Sequence, residues 1–363
     1  MIYKQLYNKI KPAMEDTSAV GMVMRLSYIF DQMMSSLEKS FFTEHFCKMP
    51  KEYHDLCKMC DSLIEVVKLV ESGERASAYQ ALYNLYFSEG NRKRLNLCEV
   101  NEETAFYRMR SADNYTQYTK NSEDEMYHIP FNLRHLVDNE RYSITGFPTF
   151  YLSASVYGCW EECQRCNLDF SNVALFKSTS ELTFLDMVPP NEKKLVTYEN
   201  LLGLPLILAS RLKVIHKDGR FVPEYIIPQL AMECLIAARK ETVDGNLVGI
   251  RYESIHLDER DLIFDKFYRE DLFYNFAIPP FESNHAGVCS KVKSLFEFWA
   301  NTSWAEIQYK NSAASISLSE KENDRYFASR FGILEKWLGR LAPGMLTYRT
   351  KTKNGVVPGM LTY

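Results

Sequence analysis

No apolar run in this 363-residue chain approaches the roughly 20 residues that a membrane-spanning helix needs. The stretch 20–30 is too short and is interrupted by Arg25. A charge excess of either sign is also missing. The formal net charge is −4, which leaves no general electrostatic footprint for nucleic acid. The short cluster Arg92-Lys93-Arg94 reads as solvated surface. The opening segment MIYKQLYNKIKPAMEDT lacks the apolar region of a signal peptide, so the expected location is the cytoplasm. Nine cysteines, an odd number in such a chain, suggest reduced thiols and not a disulfide framework. No Gly-x-Ser-x-Gly elbow surrounds Ser254, which argues against a serine hydrolase. Nor is there the regular beat of repeated βαβ units, and the absence favours an α+β arrangement over a doubly wound sheet.

What is present is ordinary globular composition, 46% hydrophobic and 25% charged, with aromatics at 13%. The length suits two domains, or one with a helical extension. Residues 1–102 read as an all-α bundle. Leu63, Val66, Val67 and Val70 follow amphipathic helical spacing, and Gly73 is a plausible stop. A second helix is expected from about Glu74 to Phe87, with Ala78, Leu82 and Leu85 on one side.

The texture changes near Glu103. AFYRMRSA reads as a strand that places Arg108 and Arg110 on one face. In PTFYLSA, Phe150 and Leu152 point toward a core, while Thr149, Tyr151 and Ser153 point toward a cleft. From Ser155 the pattern turns helical, with Glu162 two turns in and Gly158 leaving room beside it for a ligand. Downstream, 195–212 is a mostly apolar run, 222–240 an apolar-faced helix, and 246–258 a strand. A C-terminal helix is expected from Ser319, opened by a capping box to Glu322, with Phe327, Phe331, Leu334, Leu338 and Leu341 as its stripe. The sequence PGMLTY occurs at 343–348 and again at 358–363, in a tail expected to be flexible.

Metal ligation and a serine–histidine pair are weighed and set aside. His54, Cys57 and Cys60 lie at helical intervals without knuckle turns. Cys159, Cys163 and Cys166 share a helical face where small buried thiols are common. No metal site is expected. His256 follows Ser254 on the same strand face without needing to touch it, and His128 and His135 read as structural.

Three separated pieces, FYRMR at 106–110, ERYSITGFPTFYLSASVYGCWEE at 140–162 and GIRYESI at 249–255, resemble the RES domain family, named for an arginine, a glutamate and a serine. The intervening stretches are longer than in compact bacterial members, and the helical N-terminus is additional. The resemblance implies an ADP-ribosyltransferase-like mixed β core with flanking helices. It runs from about 104 to 280, in a domain placed at 103–300, with 301–342 as a helical extension and 343–363 as the tail.

The family's roles then map onto Arg141, Tyr151, Glu162 and Ser254 as the catalytic set, with Tyr107, Arg108 and Arg110 as substrate-binding residues. Glu161 is the alternative to Glu162, one position away. The implied activity consumes NAD as substrate, with no cofactor. The nicotinamide–ribose bond is cleaved by water or by inorganic phosphate, as in family members that act as toxins or defence effectors restrained by an antitoxin. ADP-ribose transfer to a macromolecule and a catalytically silent interaction protein remain open, as does a homo-oligomer; nucleic-acid and membrane partners are not expected.

The residue types suit NAD cleavage. A carboxylate such as Glu162 stabilises an oxocarbenium-like ribose. Arginine forks such as Arg141 and Arg108 match a pyrophosphate.

Overall fold

The computed structural model describes residues 2–17, 21–40, 50–111, 123–189, 198–216, 219–241, 247–254, 270–311, 326–341, 345–352 and 355–361. Helices and a mixed sheet make it an α+β protein with helices first in the chain, as the sequence predicts. The strands are β1 (Leu97–Val100), β2 (Ala105–Ser111), β3 (Phe150–Ser153), β4 (Ser171–Ser178), β5 (Leu182–Asp186), β6 (Leu247–Glu253), β7 (Tyr274–Ile278), β8 (Phe296–Thr302), β9 (Met345–Thr352) and β10 (Gly355–Leu361).

Two compact units divide the chain. The helical unit takes Met1–Cys98, Asp138–Thr145 and Thr183–Arg251; the strand unit takes Glu99–Val137, Gly146–Leu182 and Tyr252–Tyr363. The boundaries expected at 102 and 300 are therefore not those of the compact units.

In the helical unit, the helix Pro50–Glu71 buries Leu63, Val66 and Val67 completely. Gly73 ends it at φ +84°, a conformation that costs glycine least. The N-terminal helices do not close on themselves. Pro50–Glu71 packs against Met22–Ser40 and Arg75–Leu82, and also against Tyr198–Ala209 and Ile226–Glu241. The reason lies in the late helices: every residue from 201 to 212 is buried, so no face can be left to water. The Tyr198 hydroxyl donates to Asp55 at 2.8 Å and that of Tyr86 to the Leu202 carbonyl at 3.1 Å. Within this unit β5 and β6 run parallel, and Arg251 meets Asp186 through two nitrogens at 2.6 and 3.1 Å.

The strand unit is ordered β7-β3-β2-β4-β8, followed by β9 and β10. β2 lies antiparallel to β4 over seven register pairs, from Ala105–Lys177 to Ser111–Ser171. Its core is aromatic. Phe106, Tyr127, Phe150, Phe176, Phe276 and Phe296 meet with ring centroids 4.9 to 5.8 Å apart, mostly edge to face. Phe150 and Leu152 face this core as expected.

The segment expected as a separate extension belongs to this unit. Ile307, Leu334 and Leu338 are fully buried against Tyr107, Met109, Val156 and Leu175. The last long helix runs Arg330–Arg340, capped by the Ser329 side chain accepting from the Gly332 amide at 3.3 Å. Ser319, Glu322 and His256 lie outside the described residues. In the tail, β9 and β10 pair antiparallel, setting Leu346 of the first PGMLTY copy opposite Leu361 of the second. Its Thr, Tyr and Val residues favour strands.

Candidate active site

β3 is hydrogen-bonded to β7 over four register pairs, Phe150–Ile278 to Ser153–Asn275, but shares one pair with β2, Tyr107–Ser153. Arg108, the next residue of β2, sends Nη1 to the Tyr151 carbonyl at 2.7 Å. Its charged carbon lies 5.5 Å from the centre of the Phe150 ring. Its Nε is buried without a hydrogen-bond partner among the described residues. Burial strips water from this guanidinium, Arg110 repels it, and its pKa falls to about 10. Arg110, two residues on, donates to the Tyr127 carbonyl at 3.3 Å and also has a buried Nε without a partner among the described residues. The strand thus holds two desolvated cations side by side.

The helix Val156–Glu162 leaves β3 directly. Ser155 caps it, accepting from the Gly158 amide at 2.8 Å and donating to the Leu272 carbonyl. Gly158 does not leave ligand room. A Cβ there would stand 2.2 Å from Ser153 Oγ and 2.9 Å from the Leu272 carbonyl oxygen, so this glycine lets the helix lie on its own strand. At the far end the two glutamates part. Glu161 is buried at 4% exposure and pairs with Arg165 at 3.1 Å. Glu162 is exposed, and its Oε1 accepts from Asn275 Nδ2 at 2.8 Å. Asn275, on β7 opposite Ser153, is 1% exposed, and its own Oδ1 is buried without a partner among the described residues. Cys159, one turn before Glu162, lies within electrostatic reach of both Glu162 and Arg108.

Tyr151 sits half-buried on β3 with its hydroxyl enclosed. Ser254 is buried, and its amide donates to the Phe273 carbonyl at 3.0 Å, just ahead of β7. The strand unit therefore contains Arg108, Arg110, Tyr151, Glu162 and Ser254. Tyr107 is also there, but it packs into the apolar cluster with Met109, Val156 and Cys159.

Arg141 is placed otherwise. It belongs to the helical unit, where Nη1 and Nη2 donate to the Ser210 and Leu212 carbonyls at 2.9 Å each. Its guanidinium lies 5.2 Å from the centre of the Tyr225 ring. The fork ties down the turn that follows the helix Tyr198–Ala209. The arginine beside Tyr151 is Arg108.

Two residues escaped the sequence reading. Asn275 was signalled by being the polar residue inside the strand YNFAI. Glu335, 7% exposed, accepts from the Val156 amide at 2.8 Å and from the Tyr326 hydroxyl, so a carboxylate meets the start of the Glu162 helix. A charge between Leu334 and Leu338 on a buried stripe was its trace.

His128 is fully buried. Nε2 accepts from the Cys289 amide at 2.9 Å, and the ring nitrogen Nδ1 lies 2.8 Å from the Ile129 carbonyl. His135 is exposed. Among the described residues, no three His, Cys, Asp or Glu converge as a metal-ligand set, and no helix is long and apolar enough to cross a membrane.

No family model matches the chain, and no solved structure matches it. It is similar to a protein of Bacillus subtilis (strain 168) named "Putative toxin YopC", at 28% identity over 292 residues, covering 75% of this chain and 63% of that protein. The chain thus spans less than two thirds of that relative's length.

Proposed function

We propose that the strand unit is an ADP-ribosyltransferase-like, RES-type enzyme that cleaves the nicotinamide–ribose bond of NAD, and that the protein acts as a toxin held in check by a partner protein. The observation that carries this reading is one desolvated arginine and one oriented carboxylate on adjoining elements. Arg108 has an enclosed Nε with no protein acceptor among the described residues, and Glu162 is held by Asn275. The resemblance of the three sequence pieces to the RES domain supports it, as does the name of the Bacillus relative.

The chemistry follows from these groups. Arg108 and Arg110 supply donors and positive charge to the pyrophosphate. Tyr151 packs against the nicotinamide ribose and fixes its orientation. As the C–N bond lengthens, positive charge spreads over the ribose ring, and Glu162 stabilises it and holds a ribose hydroxyl. Asn275 prevents the carboxylate from turning away, and Ser254 hydrogen-bonds the substrate. Nicotinamide leaves as a neutral base, so no strong acid is required. Water or phosphate then takes the ribose carbon.

Incubating the purified full chain with NAD, with and without phosphate, and identifying the products tests this. Nicotinamide release with ADP-ribose, or with its 1-phosphate when phosphate is present, is expected. Label from the adenylate half appearing on a macromolecule would make it a transferase instead. Intact NAD in the presence of folded, partner-free protein would overturn the reading.

A further inference from the structure

Directly after Glu162 the chain makes an unusual turn. Cys163 closes the helix, its amide bonded to the Cys159 carbonyl at 2.9 Å. The Gln164 amide reaches the Glu161 carbonyl at 3.0 Å, and the Arg165 amide reaches back to Trp160 at 2.9 Å. Gln164 and Arg165 both have positive φ, 54° and 59°, where glycine is the usual occupant of such a helix end. A side chain in this region costs about 1 kcal/mol or more each. Contacts around the turn offset the cost. Trp160 Nε1 donates to the Cys166 carbonyl at 2.8 Å, and the Arg165 guanidinium pairs with Glu161 and lies 5.5 Å from the centre of the Trp160 ring.

The turn brings Cys163 and Cys166 against the same residue of β2. Both thiols meet Met109: Cys163 Sγ is 3.9 Å from its carbonyl oxygen and Cys166 Sγ 3.5 Å from its sulfur. Cys166 Sγ is also 3.1 Å from Ser171 Oγ. The ionisation of each thiol bears on that of the other. Both are partly accessible, unlike the buried Cys159. Met109 lies between Arg108 and Arg110, so the pair packs on the strand that carries the arginines, and Cys163 itself directly follows Glu162.

We propose that Cys163 and Cys166 form a redox-active dithiol that closes to a disulfide beside the candidate active site. Cys163, and after it Ser171, hold the Cys166 pKa down to about 6 against the effect of burial, so Cys166 is the attacking thiolate. It attacks one sulfur of a low-molecular-weight disulfide, whose S–S bond breaks and releases one thiolate. Cys163 then loses its proton to solvent and attacks Cys166 Sγ, expelling the second thiolate. Two protein thiols are oxidised to one disulfide, and one external disulfide is reduced to two thiols. Resting on the NAD reading above, closure re-ties the end of the Glu162 helix and slows turnover on the order of tenfold or more.

The test uses the full chain equilibrated in glutathione buffers from fully reduced to fully oxidised, then quenched with acid and alkylated for peptide mass analysis. The expected result is a Cys163–Cys166 disulfide that forms and reverses with the buffer. Cys163→Ser should trap glutathione on Cys166, and Cys166→Ser should take up none at Cys163 at neutral pH. Both thiols remaining alkylatable in fully oxidised buffer, or glutathione settling on Cys163 alone, would overturn the proposal. NAD turnover is then compared between the two states. A reversible disulfide in a protein that does not cleave NAD when reduced leaves the dithiol standing and removes the NAD reading. Equal turnover in both states removes the control by closure.

Discussion

At the scale of single residues, what distinguishes functional from structural side chains is where their hydrogen bonds go. Arg141 and Arg108 are equally plausible in a sequence, but Arg141 spends both terminal nitrogens on backbone carbonyls, whereas Arg108 spends one and keeps Nε enclosed. Arg141→Ala should therefore lower stability by about 1–3 kcal/mol through two orphaned carbonyls, with turnover per folded molecule retained. Arg108→Ala should remove turnover. Denaturant titration alongside nicotinamide release separates the two.

Glu162→Gln should cost on the order of 10² to 10³ in turnover with little change in stability. Glu161→Gln should weaken the ion pair with Arg165 while sparing turnover. Equal losses from both would remove Glu162 from its role. Asn275→Ala should lower the turnover number more than it raises the substrate concentration needed, because a freed carboxylate reacts less often in the productive orientation.

His128 supplies a pH-dependent contribution to stability. Burial, with added repulsion from Arg108, lowers its pKa from the ordinary 6.5 to about 4, only partly opposed by the contact with the Ile129 carbonyl. Between these values the unfolded chain binds the proton and the folded chain does not. Stability is full above about pH 6.5 and falls as pH drops toward 4, by on the order of 2–3 kcal/mol. Urea midpoints at pH 7.5 and 4.5 should show this loss in the wild type and a smaller one in His128→Gln.

At the scale of elements, the helix Val156–Glu162 is short, two turns, and could not hold the Glu162 carboxylate in place unaided. It is fixed at three points. Ser155 caps its start, Gly158 lets it touch β3, and Glu335 from the helix Arg330–Arg340 accepts from its first amide. Glu335→Ala leaves the Val156 amide and the Tyr326 hydroxyl without this acceptor, and should cost about 1–3 kcal/mol. Glu335→Gln keeps an acceptor oxygen and should recover much of it. A Glu335→Ala protein that is folded, with reduced turnover rescued by Gln, would mark Glu335 as a positioning residue. The helix and strand patterns themselves were legible. The amphipathic spacing of Leu63 to Val70, the alternation in PTFYLSA and the strand AFYRMRSA all appear where the sequence places them. The start of the last long helix was not, since Ser329 and Ser319 both offer a capping side chain.

At the scale of the whole molecule, the chain does not build one unit and then the next. It leaves the helical unit after Cys98, returns for 138–145, and returns again for 183–251. An isolated fragment of residues 1–102 lacks the helices Tyr198–Ala209 and Ile226–Glu241 that cover Pro50–Glu71. It should show a broad, weakly cooperative thermal transition by circular dichroism, and little amide-exchange protection at Leu63, Val66 and Val67. A sharp transition with full protection would show that the bundle stands alone.

The sequence by itself determined the α+β class, the identity of most elements, and the pieces that resemble a RES domain, because these depend on local periodicity and spacing. It also narrowed the carboxylate to Glu161 or Glu162. Only the tertiary structure gave the two different surroundings, burying Glu161 against Arg165 and setting Glu162 against Asn275, a residue 113 positions away in the chain. It likewise set Arg141 on the Ser210 and Leu212 carbonyls and brought Glu335 to the Val156 amide. The physical reason is the same in each case. A side chain's role depends on which donors, acceptors and apolar surfaces surround it, and those neighbours are supplied by segments far apart in the chain.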